Sequence, residues 1–108
     1  MDKSKEQKDL SEKTIKGLHI LLAEDNELNM EIAEFMFQNE DAEVTKAWNG
    51  LEAVEIFEKS SPGEFDVILM DIMMPVMNGY NATKRIRSMN REDAKTIPVS
   101  YTHLTLPT

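Results

Sequence analysis

Two stretches of the chain pair an apolar run with carboxylates in a spacing that supports chemistry. Ile20-Leu21-Leu22-Ala23 runs into Glu24-Asp25-Asn26, and Val67-Ile68-Leu69-Met70 runs into Asp71. An unbroken aliphatic run of this kind reads as a strand buried on both faces of a parallel sheet. The acids then fall at strand carboxyl ends, where open α/β sheets place their ligands. If the two strands are neighbours, Glu24, Asp25 and Asp71 crowd one crevice, where like charges raise one another's pKa. A hard divalent cation relieves that repulsion. Mg²⁺ takes oxygen ligands, usually one or two carboxylates together with water and phosphate. Successive strand residues point oppositely, so Glu24 and Asp25 need not both touch the ion. Such a set suits phosphoryl transfer, in which a carboxylate can act as nucleophile and form an acyl phosphate. A plainer reading stands beside it: Glu24, Asp25 and Asn26 start a helix and complement its dipole, and Asp71 punctuates a strand end.

The elements that must position these residues alternate along the chain. Leu18 to Ala23 predicts the first strand, with His19 at its entry end in a structural role. Asn26 is a good N-cap. After it Leu28, Ile32, Phe35 and Met36 recur at one helical face and are expected to pack on the sheet. Ala42 to Ala47 predicts a short second strand, and Asn49-Gly50 a turn. Leu51, Val54 and Phe57 give a second amphipathic helix to about Lys59, broken by Ser60-Ser61-Pro62-Gly63. Phe65 to Met70 is the third strand, and Pro75 and Gly79 shape the loop after Asp71. Tyr80 to Met89 predicts a third helix with Ala82, Ile86 and Met89 inward, and Thr96 to Val99 a fourth short strand. Strands alternating with helices of this length imply right-handed βαβ units and a parallel sheet, an α/β fold.

The chain has 108 residues, enough for one domain, and a net charge of −8. That charge, with no Lys/Arg block, argues against a nucleic-acid surface. The absence of cysteine removes disulfide and thiolate-metal chemistry. With no transmembrane run or signal-peptide core, a cytoplasmic segment that makes no membrane contact is expected. Residues 1–17 mix Lys with acids around only Leu10 and Ile15, and read as a charged tether.

Taken together, Ile20-Leu21-Leu22-Ala23-Glu24-Asp25-Asn26, Asn49-Gly50 with Glu52-Ala53, and Asp71 with Met74-Pro75 and Gly79 resemble the receiver domain of bacterial two-component response regulators. The resemblance runs from about Leu18 to Val99. Asn26-Glu27-Leu28-Asn29 and Ile97-Pro98 look most like the C-terminal receivers of hybrid sensor histidine kinases. The resemblance implies a flavodoxin-like doubly wound parallel sheet. It implies Asp71 as the acceptor of a phosphoryl group from a phosphohistidine, Asp25 as a direct Mg²⁺ ligand, Glu24 as a ligand through water, and the Met73 backbone carbonyl as a further ligand. The implied partner is a sensor histidine kinase or a histidine phosphotransfer domain. The resemblance implies a domain that would accept phosphate rather than turn over an external substrate.

The chain departs from the family after Val99. No Lys follows Lys95, so the family's phosphate-contacting Lys has no counterpart, and Thr102 sits one position early for its switch hydroxyl. The peptide from Ser100 to Thr108 resembles translated adapter read-through. The expectation is a C-terminally truncated receiver of about four strands and three helices over 18–100, lacking the last strand and last two helices, with 101–108 as a tail foreign to the family. Other readings remain. A Mg²⁺-dependent phosphohydrolase with an Asp nucleophile would want an acid two residues on, where Met73 stands. A flavin or nucleotide binder would want a Gly-rich loop where Glu24-Asp25-Asn26 stands. A phosphate-independent pseudo-receiver would serve only for docking.

Overall fold

The apolar runs become four parallel strands of one sheet, β1 (His19–Ala23), β2 (Glu43–Ala47), β3 (Val67–Asp71) and β4 (Val99–Thr102), in the order β2-β1-β3-β4. The structure is a computed structural model that describes residues 16–102. β1 lies between β2 and the acid-bearing β3 and pairs with both: Ala23 lies opposite Ala47 of β2 and opposite Met70 of β3. Asp71 lies opposite Thr102. The strand order and the helices between the strands make a flavodoxin-like doubly wound fold, as expected. Most of the 1–17 stretch, and the tail from residue 103 onward, lie outside the described residues.

Side chains alternate across β1 and build two cores. Leu21 and Ala23 join Ile68, Met70, Val54, Phe57 and Ile86 on one face. Ile20 and Leu22 join Met30, Ala33 and Ala42 on the other. The first face is covered by α2 (Gly50–Lys59), α3 (Gly79–Arg87) and the one-turn helix α4 (Glu92–Thr96); the second carries α1 (Glu27–Asn39). Among the described residues no helix is long and apolar enough to cross a membrane.

Two expectations are corrected. α1 turns a different stripe to the sheet. Leu28, Ile32, Phe35 and Met36 are exposed, Phe35 by 71%, while Met30 and Ala33 are buried and Phe37 packs beside them. Both stripes are apolar at helical spacing, so periodicity could not choose between them. The entry of the helix decides: the Asn26 side chain caps the Asn29 N–H at 2.9 Å, and the helix that follows puts Met30 and Ala33 into the core with Ile20 and Leu22. The fourth strand also begins later than expected. Thr96 ends α4, a fourth helix not foreseen, and β4 starts only after Pro98, whose carbonyl accepts the Ile68 N–H at 2.9 Å. Proline has no N–H for the ladder, which explains why regular pairing begins at Val99. His19 is structural, as expected: its Nε2 meets the Thr45 hydroxyl at 2.7 Å and its ring packs on Phe65.

Candidate functional site

The carboxyl edge of the sheet gathers the acids. Glu24 still belongs to the ladder, its N–H donating to the Ala47 carbonyl at 3.0 Å, and the β1–β3 register brings it beside Asp71. One carboxylate oxygen from each of Glu24, Asp25 and Asp71 lies within 4.8 Å of the others. Their environments differ. Asp25 is exposed, Asp71 is 4% exposed and Glu24 only 1%. Glu24 Oε2 accepts the Asn26 N–H at 2.9 Å, but Oε1 is buried with no hydrogen-bond donor among the described residues.

Burial pushes the Glu24 carboxyl up to about 7; the Asn26 N–H opposes the rise and the neighbouring Asp71 charge adds to it. A buried carboxylate oxygen with no donor, facing further carboxylates, is what a hard cation would satisfy. The residues present therefore fit Mg²⁺.

Asp71 leads into the loop 72–78. The Met73 N–H donates to Asp71 Oδ1 at 3.2 Å, which ties the start of the loop to the central carboxylate. The loop closes where the Gly79 N–H donates to the Ile72 carbonyl at 3.1 Å. Gly79 is required there, because a Cβ would overlap the Asp71 carbonyl oxygen and lie 2.9 Å from Met70 Cγ. A crevice of about 570 Å³ opens between Asp25 and this loop, lined by Met73, Met74, Pro75, Asn78 and Tyr80 among others. The Asn78 side chain caps the Asn81 N–H at 2.9 Å and so starts α3 directly beside the crevice.

All four predicted site residues thus border one place: Glu24, Asp25 and Asp71 form the acid cluster, and Met73 lines the crevice with its side chain exposed. Thr102, one position early for the family's switch hydroxyl, faces the α1 side, where it lines an apolar groove with Leu22, Ile32 and Met36. Tyr80, expected only to open the third helix, also belongs to the site. It lines the crevice, and its ring meets that of Tyr101 at 4.7 Å between centroids, tilted by 52°, a pairing between residues twenty-one positions apart that no local pattern signals.

The response regulator receiver domain family matches residues 20–105. The receiver domain of a sensor histidine kinase from Pseudomonas aeruginosa, solved with magnesium coordinated in its active-site cleft, superposes with a TM-score of 0.71 at 36% identity, covering 79% of this chain and 66% of that one. Histidine kinase 3 of Arabidopsis thaliana is 40% identical over 81 residues, 75% of this chain. The receiver of the Saccharomyces cerevisiae response regulator Ssk1, co-crystallised with the histidine phosphotransfer protein Ypd1, gives a TM-score of 0.61 at 33% identity over 67% of this chain and 48% of that one. The chain spans only 8% of the length of the Arabidopsis kinase.

Proposed function

The chain belongs to the response regulator receiver domain family, and from that premise we propose that it takes a phosphoryl group from a phosphohistidine onto Asp71 in a two-component phosphorelay. The observation that carries this reading is the convergence of Glu24, Asp25 and Asp71, from the ends of two adjacent strands, within 4.8 Å at the mouth of an open crevice. In the step, an Asp71 carboxylate oxygen attacks phosphorus, the O–P bond forms and the P–N bond breaks. The electron pair returns to the imidazole, and Asp71 becomes an acyl phosphate.

Asp25 and Asp71 would hold Mg²⁺ directly, Glu24 through water and Met73 by its backbone carbonyl. When bound, the ion offsets the carboxylate charge that would otherwise repel an incoming phosphoryl group. The protein's own part is positioning. The ladder bond at Glu24 and the Met73 N–H on Asp71 Oδ1 hold the carboxylates before substrate arrives, so little reorganisation is required at the moment of transfer.

The donor in this reading is a sensor histidine kinase or a histidine phosphotransfer protein, supported by the Ypd1 complex of the Ssk1 receiver. A hybrid sensor kinase as the parent chain is supported by the likeness to kinase-borne receivers, and a cytoplasmic place belongs to the same reading. A small-molecule phosphodonor with Mg²⁺ tests the core of the proposal. The expected product is an acid-stable, base-labile phosphate on Asp71, lost in Asp71→Asn. Undiminished labelling of Asp71→Asn would overturn the assignment.

A further inference from the structure

The Asn49-Gly50 pair touches, through backbone, the loop that follows Asp71. Gly50 opens α2, so its N–H is one of the donors that a helix leaves unsatisfied at its start. The Asn49 side chain takes the Glu52 N–H at 2.8 Å, and the Gly50 N–H is spent elsewhere: it donates to the Met77 carbonyl at 3.1 Å. The approach is too close for any side chain. A Cβ on Gly50 would overlap the Met77 carbonyl oxygen and lie 2.8 Å from its carbon, so backbone itself would have to move.

Met77 is the far side of a strained turn. The Met77 N–H donates back to the Pro75 carbonyl at 2.7 Å, enclosing Val76 at φ +70°. A three-residue turn with its central residue at positive φ is rare, and a β-branched residue in that region is an outlier. Such strain persists only where the surroundings over-determine it. Here two anchors do so. Gly50 holds Met77, and Gly79 holds Ile72. Between them run Met73, whose N–H is on Asp71 Oδ1, and the stiff Pro75.

We propose that Gly50 is a positioning residue for the phosphoryl site: by donating to Met77 without a side chain, it lets α2 brace the strained loop 72–78 and so sets the placement of Met73 against Asp71. The inference rests on the reading of the acid cluster as the metal and phosphoryl site, and deepens it. Coupling between a brace and a site is reciprocal, so metal at the acids must in turn tighten the brace.

The chain has four glycines, so labelling the full chain with ¹⁵N-glycine yields one backbone amide signal for each. Gly50 and Gly79 are the two anchors. Gly17, before β1, and Gly63, between α2 and β3, lie at the opposite edge and serve as controls. Titrated with Mg²⁺ alone, the Gly50 and Gly79 signals are expected to shift with a common midpoint, the Gly50 amide to exchange more slowly with solvent, and Gly17 and Gly63 to stay in place. A shift at Gly79 with Gly50 unmoved in both position and exchange overturns the brace and leaves the acid site standing. No shift at any glycine overturns the metal reading, and the brace with it.

A variant cycle gives a second readout. Gly50→Ala should weaken Mg²⁺ binding about tenfold, the scale of losing an outer partner of a metal site. Val76→Gly relaxes the turn, so the loop no longer depends on being held, and Gly50→Ala in that background should cost much less. Strictly additive losses would reduce Gly50 to a packing contact and overturn the proposal. Should Gly50→Ala fail to fold, the amide titration of the unaltered chain decides alone.

Discussion

The two edges of the sheet treat charge in opposite ways. At the carboxyl edge, Glu24 is buried with one oxygen lacking a donor, beside two further acids, and Val76 is held in a strained turn. At the amino edge a part-buried ion pair is matched. Arg91 forms a two-pronged pair with Asp93, Nε to Oδ1 at 2.7 Å and Nη2 to Oδ2 at 2.8 Å. The same guanidinium caps the end of α2 through the Phe57 and Ser60 carbonyls, at 2.9 and 3.0 Å, and lies 4.5 Å from the centroid of the Phe57 ring. Asp93 also accepts the Gly63 N–H at 3.0 Å, and His19 is hydrogen-bonded to Thr45. One edge is satisfied within the chain and stabilises the fold. The other is left short of donors and strained, as expected where a ligand is to complete it.

The largest test of this contrast is the metal-free pH dependence. Folding raises the Glu24 carboxyl from 4.5 to about 7. A group raised by folding favours the folded state most below its unfolded pKa, and that stability is lost as pH rises through the folded one. Without metal, the protein should lose roughly 3 kcal/mol between about pH 4.5 and 8 from this group. Denaturant unfolding at pH 5 and pH 8 measures it. Glu24→Gln should flatten the slope and stabilise the metal-free protein at pH 8, and Mg²⁺ should flatten it in the unaltered chain. An identical slope in Glu24→Gln would show that the carboxyl edge carries no such cost.

The amino edge should respond in the opposite sense. Arg91→Met strands Asp93 and two helix-end carbonyls, and should cost about 2 kcal/mol at pH 7, measured by the same unfolding curves. The hydrogen bond from Arg91 is the main cause that holds the Asp93 carboxyl down at about 2, against 3.8 ordinarily. Its contribution is therefore present above about pH 3.8 and lost as pH falls toward 2, and Arg91→Met should remove that acid limb. Mg²⁺ affinity should be unchanged, which separates the two edges. The smallest effect belongs to neither edge. Phe35→Ala, on the outer stripe of α1, should cost under about 1 kcal/mol because that ring is 71% exposed. A loss of about 3 kcal/mol or more would mean that the ring is packed in a core.

The apolar runs, their lengths and the turn residues between them were enough to determine a parallel α/β sheet, the placement of Asp25 and Asp71 at strand ends, and the burial of Val54 and Phe57 on α2 and of Ala82 and Ile86 on α3, because strand and helix periods are local properties of the chain; Leu51, expected inward with them, is only half-buried, and Ala53 takes the core position. Where two patterns were equally apolar, as on α1, the local signal was degenerate, and the capped entry at Asn26, with Met30 and Ala33 packed into the sheet face, chose between them. The start of β4 likewise depended on where Pro98 fell against the β3 ladder. Tertiary structure alone decided that Glu24 is buried while its neighbour Asp25 is exposed, since burial belongs to the packed edge and not to the residue. It alone decided that Gly50 meets Met77, twenty-seven positions away, because a backbone contact of that range leaves no mark in any periodicity and exists only once α2 and the loop after β3 are folded against each other.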